Sequence, residues 1–506
     1  MVRIVPLLLL VACAAPDGES RVQDETAGPE PVETGLVLGE PSVCAAPLAG
    51  PTWTEVGGDR GLLRSPNPSD AHGAGGTVVA DDLDADGDVD LVVAYDTGTY
   101  LYLREGAAYR VASYPGPDGY FLLALADVDA DGRRDVLLGG NPMQELEYTD
   151  GELRPRPIIP TELGAGLPPA QGFFPGDLDA DGALDLFVIV SPVELPDYML
   201  HGRGDGWFEP VLDAVPAGMP NGMGFDARWF DWDRDLDLDL YVVNDQGPTY
   251  GANVLFENDG GTLVDASDRC ACDLSVSGMG VDLGDYDRDG IADLYVTQAA
   301  GEALLRGLPD GTYVDTTRAT GIPQMSAFEM GWGAIFLDLD NDADLDLVEA
   351  RGDHWQEATN PEFVYATTPT VYLQANGVFV DSPWFDRDGS WRAVVAWDDN
   401  QDGVLDLLVT DVVERPALWL SDGCTEAGWL EVEGPVGAKV EVRAGGVDQT
   451  TWITQQSSMA ASRTPIAHVG LGTAQEVELI RVTLLTGEVR TLEGPFEARR
   501  RVVVAP

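Results

Sequence analysis

Asp285 to Leu294 reads DYDRDGIADL, and this pattern decides the fold. Asp285, Asp287 and Asp289 stand at positions 1, 3 and 5, Gly290 at position 6 permits a left-handed turn, and Asp293 at position 9 closes the ring. Carboxylates gathered this closely repel one another unless a divalent ion neutralises them. An all-oxygen ring with one backbone carbonyl is what calcium prefers. An EF-hand opens in the same way but needs helical flanks and a bidentate Glu at position 12. Here position 12 is Val296, inside the apolar run LYVTQ, which reads as a strand. The loop therefore joins two strands.

Outward from this stretch the pattern recurs, seven copies in all at intervals of 45 to 60 residues, the range in which each internal repeat is one supersecondary unit. The expected calcium ligands are Asp82, Asp84, Asp86 and Asp90 in the first copy, Asp127, Asp129, Asp131 and Asp135 in the second, and Asp177, Asp179, Asp181 and Asp185 in the third. They continue with Asp231, Asp233, Asp235 and Asp239, then the Asp285 copy, then Asp338, Asp340, Asp342 and Asp346, and finally Asp398, Asn400, Asp402 and Asp406. Up to seven calcium ions are implied. Leu236 and Ala343 replace the glycine, at a cost of roughly 1 kcal/mol or more for a left-handed residue, so those two sites are expected to be weaker or reshaped. Asn400 keeps an oxygen ligand while dropping one charge. Only the Asp338 copy has a Glu, Glu349, at position 12.

The full unit is four short strands. Around the fifth, a Gly278-Met279-Gly280 entry leads the first strand into the loop, LYVTQ follows, and a strand, a turn and TYVDTT complete the unit. Four strands in each of seven repeats imply an all-β, seven-bladed β-propeller. The glycines entering at Met223, Met279 and Met330 suit close packing at the axis. The seventh copy lacks a fourth strand, and Thr52 to Val56 has the form of the missing piece, so the last blade is expected to close from the N-terminal side and leave no open edge. The alternating runs AKVEVRA and VELIRVTLL indicate a small C-terminal β-sandwich or barrel.

Over residues 51–423 the loops resemble FG-GAP (VCBS-type) calcium repeats, as in integrin alpha-chain propellers. The C-terminal stretch resembles the ASPIC/UnbV module through Gly428-Trp429-Leu430, Gly437-Ala438-Lys439-Val440 and His468-Val469-Gly470-Leu471-Gly472, with Leu484-Leu485-Thr486-Gly487 in place of the Trp-Pro-x-Gly form. Together they resemble the cartilage acidic protein family and its bacterial relatives. The domains expected are a signal peptide over 1–12, a disordered acidic and Pro-rich tether over 13–43, the propeller over 44–423 and the β domain over 424–506.

The start, MVRIVPLLLLVACAAPD, has a basic residue, a short apolar core and Leu10-Val11-Ala12-Cys13, which resembles a bacterial lipobox. That resemblance implies lipidation at Cys13 and, with Ala14 next, an outer-membrane or cell-surface lipoprotein. The net charge of −58 excludes nucleic acid and anionic membrane surfaces as partners, leaving the membrane reachable only through the lipid. Seven dications add +14 and leave −44, so the loops account for only part of the acidity. Cys44, Cys270, Cys272 and Cys424 remain, an even number in an exported chain. Closure of the last blade places Cys44 and Cys424 at one edge and predicts a disulfide there in place of the missing turn. Cys270 and Cys272 then pair locally or stay reduced.

His72, His201 and His354 are isolated in loop-like stretches, and His468 is expected to be structural within the HVGLG turn. No G-x-S-x-G elbow, Walker loop or H-E-x-x-H helix occurs. The triplets Arg203 to Asp205 and Arg351 to Asp353 read as coincidences of composition. The expected function is a monomeric, calcium-binding, lipid-anchored scaffold for an extracellular protein or glycan, not an enzyme. The alternative is a calcium-dependent lyase or hydrolase using carboxylates of a propeller face.

Overall fold

The computed structural model describes residues 35–505 apart from 63–75, 96–97, 115–121, 141, 150–151, 165, 191–194, 213, 216–221, 324–328, 353–366 and 413. Cys13, His72 and His354 lie outside the described residues. Seven antiparallel four-stranded blades form the propeller, with inner strands at Thr77–Asp81, Leu123–Ala126, Ala170–Gly176, Met223–Phe230, Gly278–Gly284, Met330–Leu337 and Trp391–Trp397. Inner strands and the strands after the loops are buried along nearly their whole length, which is why they read as continuous apolar runs. The seventh blade closes as its sequence requires. Trp53–Glu55 pairs antiparallel with Ala417–Ser421, Trp53 opposite Ser421 and Glu55 opposite Trp419. The Trp53 indole donates to Leu405 O at 2.9 Å and stacks on Trp384. Cys44 and Cys424 are joined by a disulfide with a Cα–Cα distance of 5.8 Å, and Cys270 is joined to Cys272.

The C-terminal domain is a β-sandwich. One sheet holds Trp429–Glu433, Ile466–Gly470 and Arg500–Val504, and the other Lys439–Ala444, Val447–Trp452, Glu476–Thr483 and Val489–Glu497. The first sheet gains a fourth strand from the far end of the chain, because Leu36–Leu38 pairs with Arg500–Val504. This corrects the expectation of a disordered tether reaching residue 43. Three consecutive apolar residues interrupt the polar composition there, and Leu36 is buried in the sandwich core with Leu430, Val502 and Val504.

The two domains also share a sheet. The hairpin Gln456–Ser458 and Ala461–Arg463 leaves the sandwich and adds to the inner edge of the first blade, Ala461 to Arg463 running parallel to Val78 to Ala80. Its tip carries Met459 into the axial core, where it is fully buried in one apolar cluster with Met279, Met330 and Trp332. The Ser458 hydroxyl accepts from Val394 N of the seventh inner strand at 2.9 Å. The glycine of the fifth blade entry is required here. A Cβ on Gly280 would lie 2.6 Å from Trp332 O and 3.0 Å from Met459 Cβ. The axis is therefore filled by a finger of the C-terminal domain, entering from the face that carries the acidic loops.

Candidate metal centres and the face that covers them

All seven loops share one backbone form. Positions 4 and 6 are both left-handed in every copy, with φ from 56° to 68° at Ala85, Ala130, Ala180, Arg234, Arg288, Asn341 and Gln401, and positive φ at every position 6. The resulting turn points the amides of positions 5 and 6 at the position 1 carboxylate, at 2.9 Å each from Asp289 and Gly290 to Asp285. The position 9 aspartate is bound twice: Asp293 Oδ2 accepts from Tyr286 N at 3.0 Å and Oδ1 from Gly307 N at 2.8 Å. It thus ties the loop to the third strand while presenting its oxygens to positions 1 and 3.

The two glycine-free loops differ from each other. Ala343, at φ 78°, keeps both amide bonds to Asp338, at 3.0 and 2.8 Å. In the Asp231 loop the Leu236 amide reaches position 1 at 3.3 Å, while Asp235 N donates to Asp233 at 3.2 Å. The Asp231 loop is thus reshaped and the Asp338 loop is not. Ala343→Gly is expected to raise stability by about 0.5 to 1 kcal/mol, since the relief of left-handed strain outweighs the added backbone freedom. Thermal unfolding of the two proteins side by side checks this.

The loops bring together ligand atoms as metal sites do. Asp82, Asp84 and Asp86, Asp127, Asp129 and Asp135, Asp177, Asp179 and Asp181, and Asp231, Asp233 and Asp239 each offer one oxygen within 4.8 Å of the others. All-oxygen clusters of this kind fit a hard dication. Burial and crowding push the carboxyls up: Asp285 to about 7, Asp398 and Asp346 to about 8, and Asp293 to about 9, burial being the largest cause in each. Glu349 is not a loop ligand. It is buried on the second strand, accepting from Tyr295 Oη at 3.1 Å and Arg351 Nη2 at 3.0 Å.

The C-terminal domain lies on this acidic face. Gly470 packs so closely on the Asp338 loop that a Cβ would stand 2.0 Å from Asp338 Oδ2. Gly472 N donates to Asn341 O at 2.9 Å, and His468 Nε2 meets Asn341 Oδ1 at 2.8 Å. His468 therefore holds two domains together, from a strand rather than the expected turn, and burial pushes its imidazole down to about 3. Trp429 covers Gly403 of the seventh loop, and Glu431 adds to the raised carboxyl of Asp398. Between the first and seventh loops and the sandwich remains a cleft of about 240 Å³ lined by Arg104, Arg134, Arg463, Arg501, Glu431 and Glu433. Nothing in the sequence signals this cleft, since its walls come from segments far apart in the chain.

Arg306 is the other residue the sequence did not reveal. From the third strand of the fifth blade its guanidinium pairs with Asp287 and, at 2.9 Å, with Asp289. The loop with the most regular sequence thus carries a tethered cation. Arg306→Leu is expected to tighten divalent-ion binding at this loop roughly fivefold, the equivalent of about 1 kcal/mol for a partly exposed ion pair. Calorimetric titration of calcium into both proteins reads the difference.

An FG-GAP-like repeat profile matches residues 82–138, 177–242 and 231–296, and an ASPIC and UnbV profile matches residues 434–505. No curated protein matches the chain. Among solved structures it is similar to an Agrocybe aegerita lectin that recognises non-reducing terminal N-acetylglucosamine, at 16% identity over 60% of this chain and 79% of that one, with a TM-score of 0.38. It is also similar to BBS1N in complex with ARL6DN, at 12% identity over 72% and 98% of the two chains and a TM-score of 0.44. A third is YCF48 from Cyanidioschyzon merolae, at 10% identity over 73% and 98% and a TM-score of 0.42.

Proposed function

We propose, for a chain that carries FG-GAP-like repeats and a C-terminal ASPIC and UnbV domain, that it is an exported binding scaffold whose calcium ions serve structure rather than chemistry. The observation that carries this reading is the cover over the sixth and seventh loops. Asp338 is 2% exposed beneath Gly470, so an ion there is sealed between two domains and closed to a substrate. Calcium supplies charge neutralisation, and the chain supplies the carboxylates of positions 1, 3, 5 and 9 that hold it. The two disulfides suit an oxidising compartment, and Cys13 is proposed as the lipid anchor. The partner is an extracellular protein or glycan, and the polar cleft beside Arg501 and Glu433 is where its polar groups dock.

An enzyme reading would draw on a carboxylate pair, and Glu302 with Glu349 is a buried pair outside the loops. Both side chains are fully enclosed around Arg351, and that enclosure favours a packed ionic cluster over a reacting pair. The test uses the full chain on glycan arrays and in pull-downs from its native cell surface, with calcium and with chelator. Retention that needs calcium and weakens in Arg501→Ala supports the scaffold. Turnover of a retained glycan would overturn it.

A further inference from the structure

The residue of the third strand that stands across the ladder from position 9 differs in chemistry between blades. One register step beyond the paired residues, Leu103, Leu373 and Leu420 stand opposite Asp90, Asp346 and Asp406, Glu257 opposite Asp239, and Arg306 opposite Asp293. In the third blade this place is held by His201, opposite Asp185. It lies on the strand Tyr198–Gly202 and not in the loop that its sequence setting indicates. Its Nδ1 is 3.0 Å from Asp185 Oδ1 and 3.6 Å from Asp179 Oδ2. The donor atoms of the three residues all lie within 4.8 Å of one another.

We infer that the third loop is a transition-metal site, taking a dication such as Mn²⁺, Co²⁺ or Zn²⁺ on His201 Nδ1 together with Asp179 and Asp185. Calcium is a hard ion that takes oxygen ligands, whereas imidazole suits the first-row transition metals and carboxylates complete their shells. The donors sit ready for it. Asp185 is fixed by Leu178 N at 3.0 Å and by Gly202 N at 2.9 Å. The His201 and Asp179 side chains are 36% and 41% exposed, so an ion reaches them from solvent. The nitrogen comes from outside the ten-residue pattern, on a neighbouring strand, and changes the ion preference of a loop whose own sequence matches the rest.

This inference rests on the loops being cation sites, and one experiment separates the two. The full chain is saturated with calcium, its bound calcium is counted, and Co²⁺ is titrated in by calorimetry and visible absorption. The expected result is one tightly held Co²⁺ per chain with the spectrum of mixed nitrogen and oxygen ligation. His201→Leu, the residue type of three other blades, is expected to weaken it by at least about tenfold, the smallest loss that even outer-shell changes at metal sites cause. Asp179→Asn is expected to weaken it as well. The folded state of each variant is read from its melting temperature. Calcium bound with no Co²⁺ retained, or Co²⁺ bound equally well without His201, overturns the transition-metal site alone. A chain that binds neither ion overturns the cation reading of the loops.

Discussion

In chelator the melting temperature is expected to fall by on the order of 5 to 10 °C, and the fall is expected to deepen as the pH rises. A ligand that binds only the folded state adds about 2.7 kcal/mol per site at one hundred times its dissociation constant. Two occupied loops therefore contribute about 5 kcal/mol, and in a chain of this length a kilocalorie per mole moves the midpoint by only about 1 to 2 °C. The pH dependence follows from the carboxyls. Asp293 is pushed up to about 9, Asp346 and Asp398 to about 8, and Asp90, Asp135, Asp239 and Asp285 to about 7. In the metal-free fold these groups hold protons that the unfolded chain releases near pH 4, so the folded state binds more protons and stability declines as pH rises through about 7 to 9. The contribution is fully present below the unfolded value and is lost through the folded one. Calcium replaces the protons, so the loaded protein is expected to show a much flatter profile. Calorimetry at pH 5, 7 and 9 with calcium and with chelator reads both effects. Identical melting curves in the two buffers would show that the loops do not clamp the fold.

The same loops show why some of this structure was legible in the sequence and some was not. Position 6 announces itself, because glycine is the residue that adopts φ near 83° without strain, as Gly290 does. Position 4 takes φ near 60° just as regularly, yet Ala, Arg, Asn and Gln fill it, so composition conceals the second left-handed residue. Blade closure was readable because Trp53–Glu55 repeats a pattern found in other blades. The axial hairpin was not, since Gln456 to Arg463 is a run of small and polar residues with a single Met, and no periodicity distinguishes a plug from a loop. Leu36–Leu38 was hidden by its neighbours, whose Pro and Glu content outweighs three apolar residues in any window. His201 and Arg306 escaped for a different reason. Each faces an acidic loop across a strand ladder, and ladder register is a property of the folded blade that loop spacing alone does not carry.

Replacing both Cys44 and Cys424 by serine is expected to cost several kcal/mol, more than any single loop. The bridge spans 380 residues, for which the chain-entropy relation gives about 5 to 6 kcal/mol, with native strain and residual structure reducing what is realised. Its position in the fold gives the bridge a second effect. Cys44 lies between Leu36–Leu38, which belongs to the sandwich, and Trp53–Glu55, which completes the seventh blade. Cys424 lies between Ala417–Ser421 of that blade and Trp429–Glu433 of the sandwich. Leu48 N donates to Cys424 O at 2.9 Å, so the backbone follows the covalent link. The crosslink therefore fastens the closing strand to its blade and the two domains to each other at the same point. Without it Trp53–Glu55 is held to blade seven by its ladder bonds, the stacked Trp384 and the Glu55–Arg415 ion pair. Hydrogen exchange is expected to rise first in residues 36–55 and 417–421 of the double variant, while the loops of blades 3 to 5 keep their protection. Melting of the double variant close to that of the parent, with unchanged exchange in those two segments, would show that the propeller closes by strand pairing alone and that the disulfide adds nothing to it.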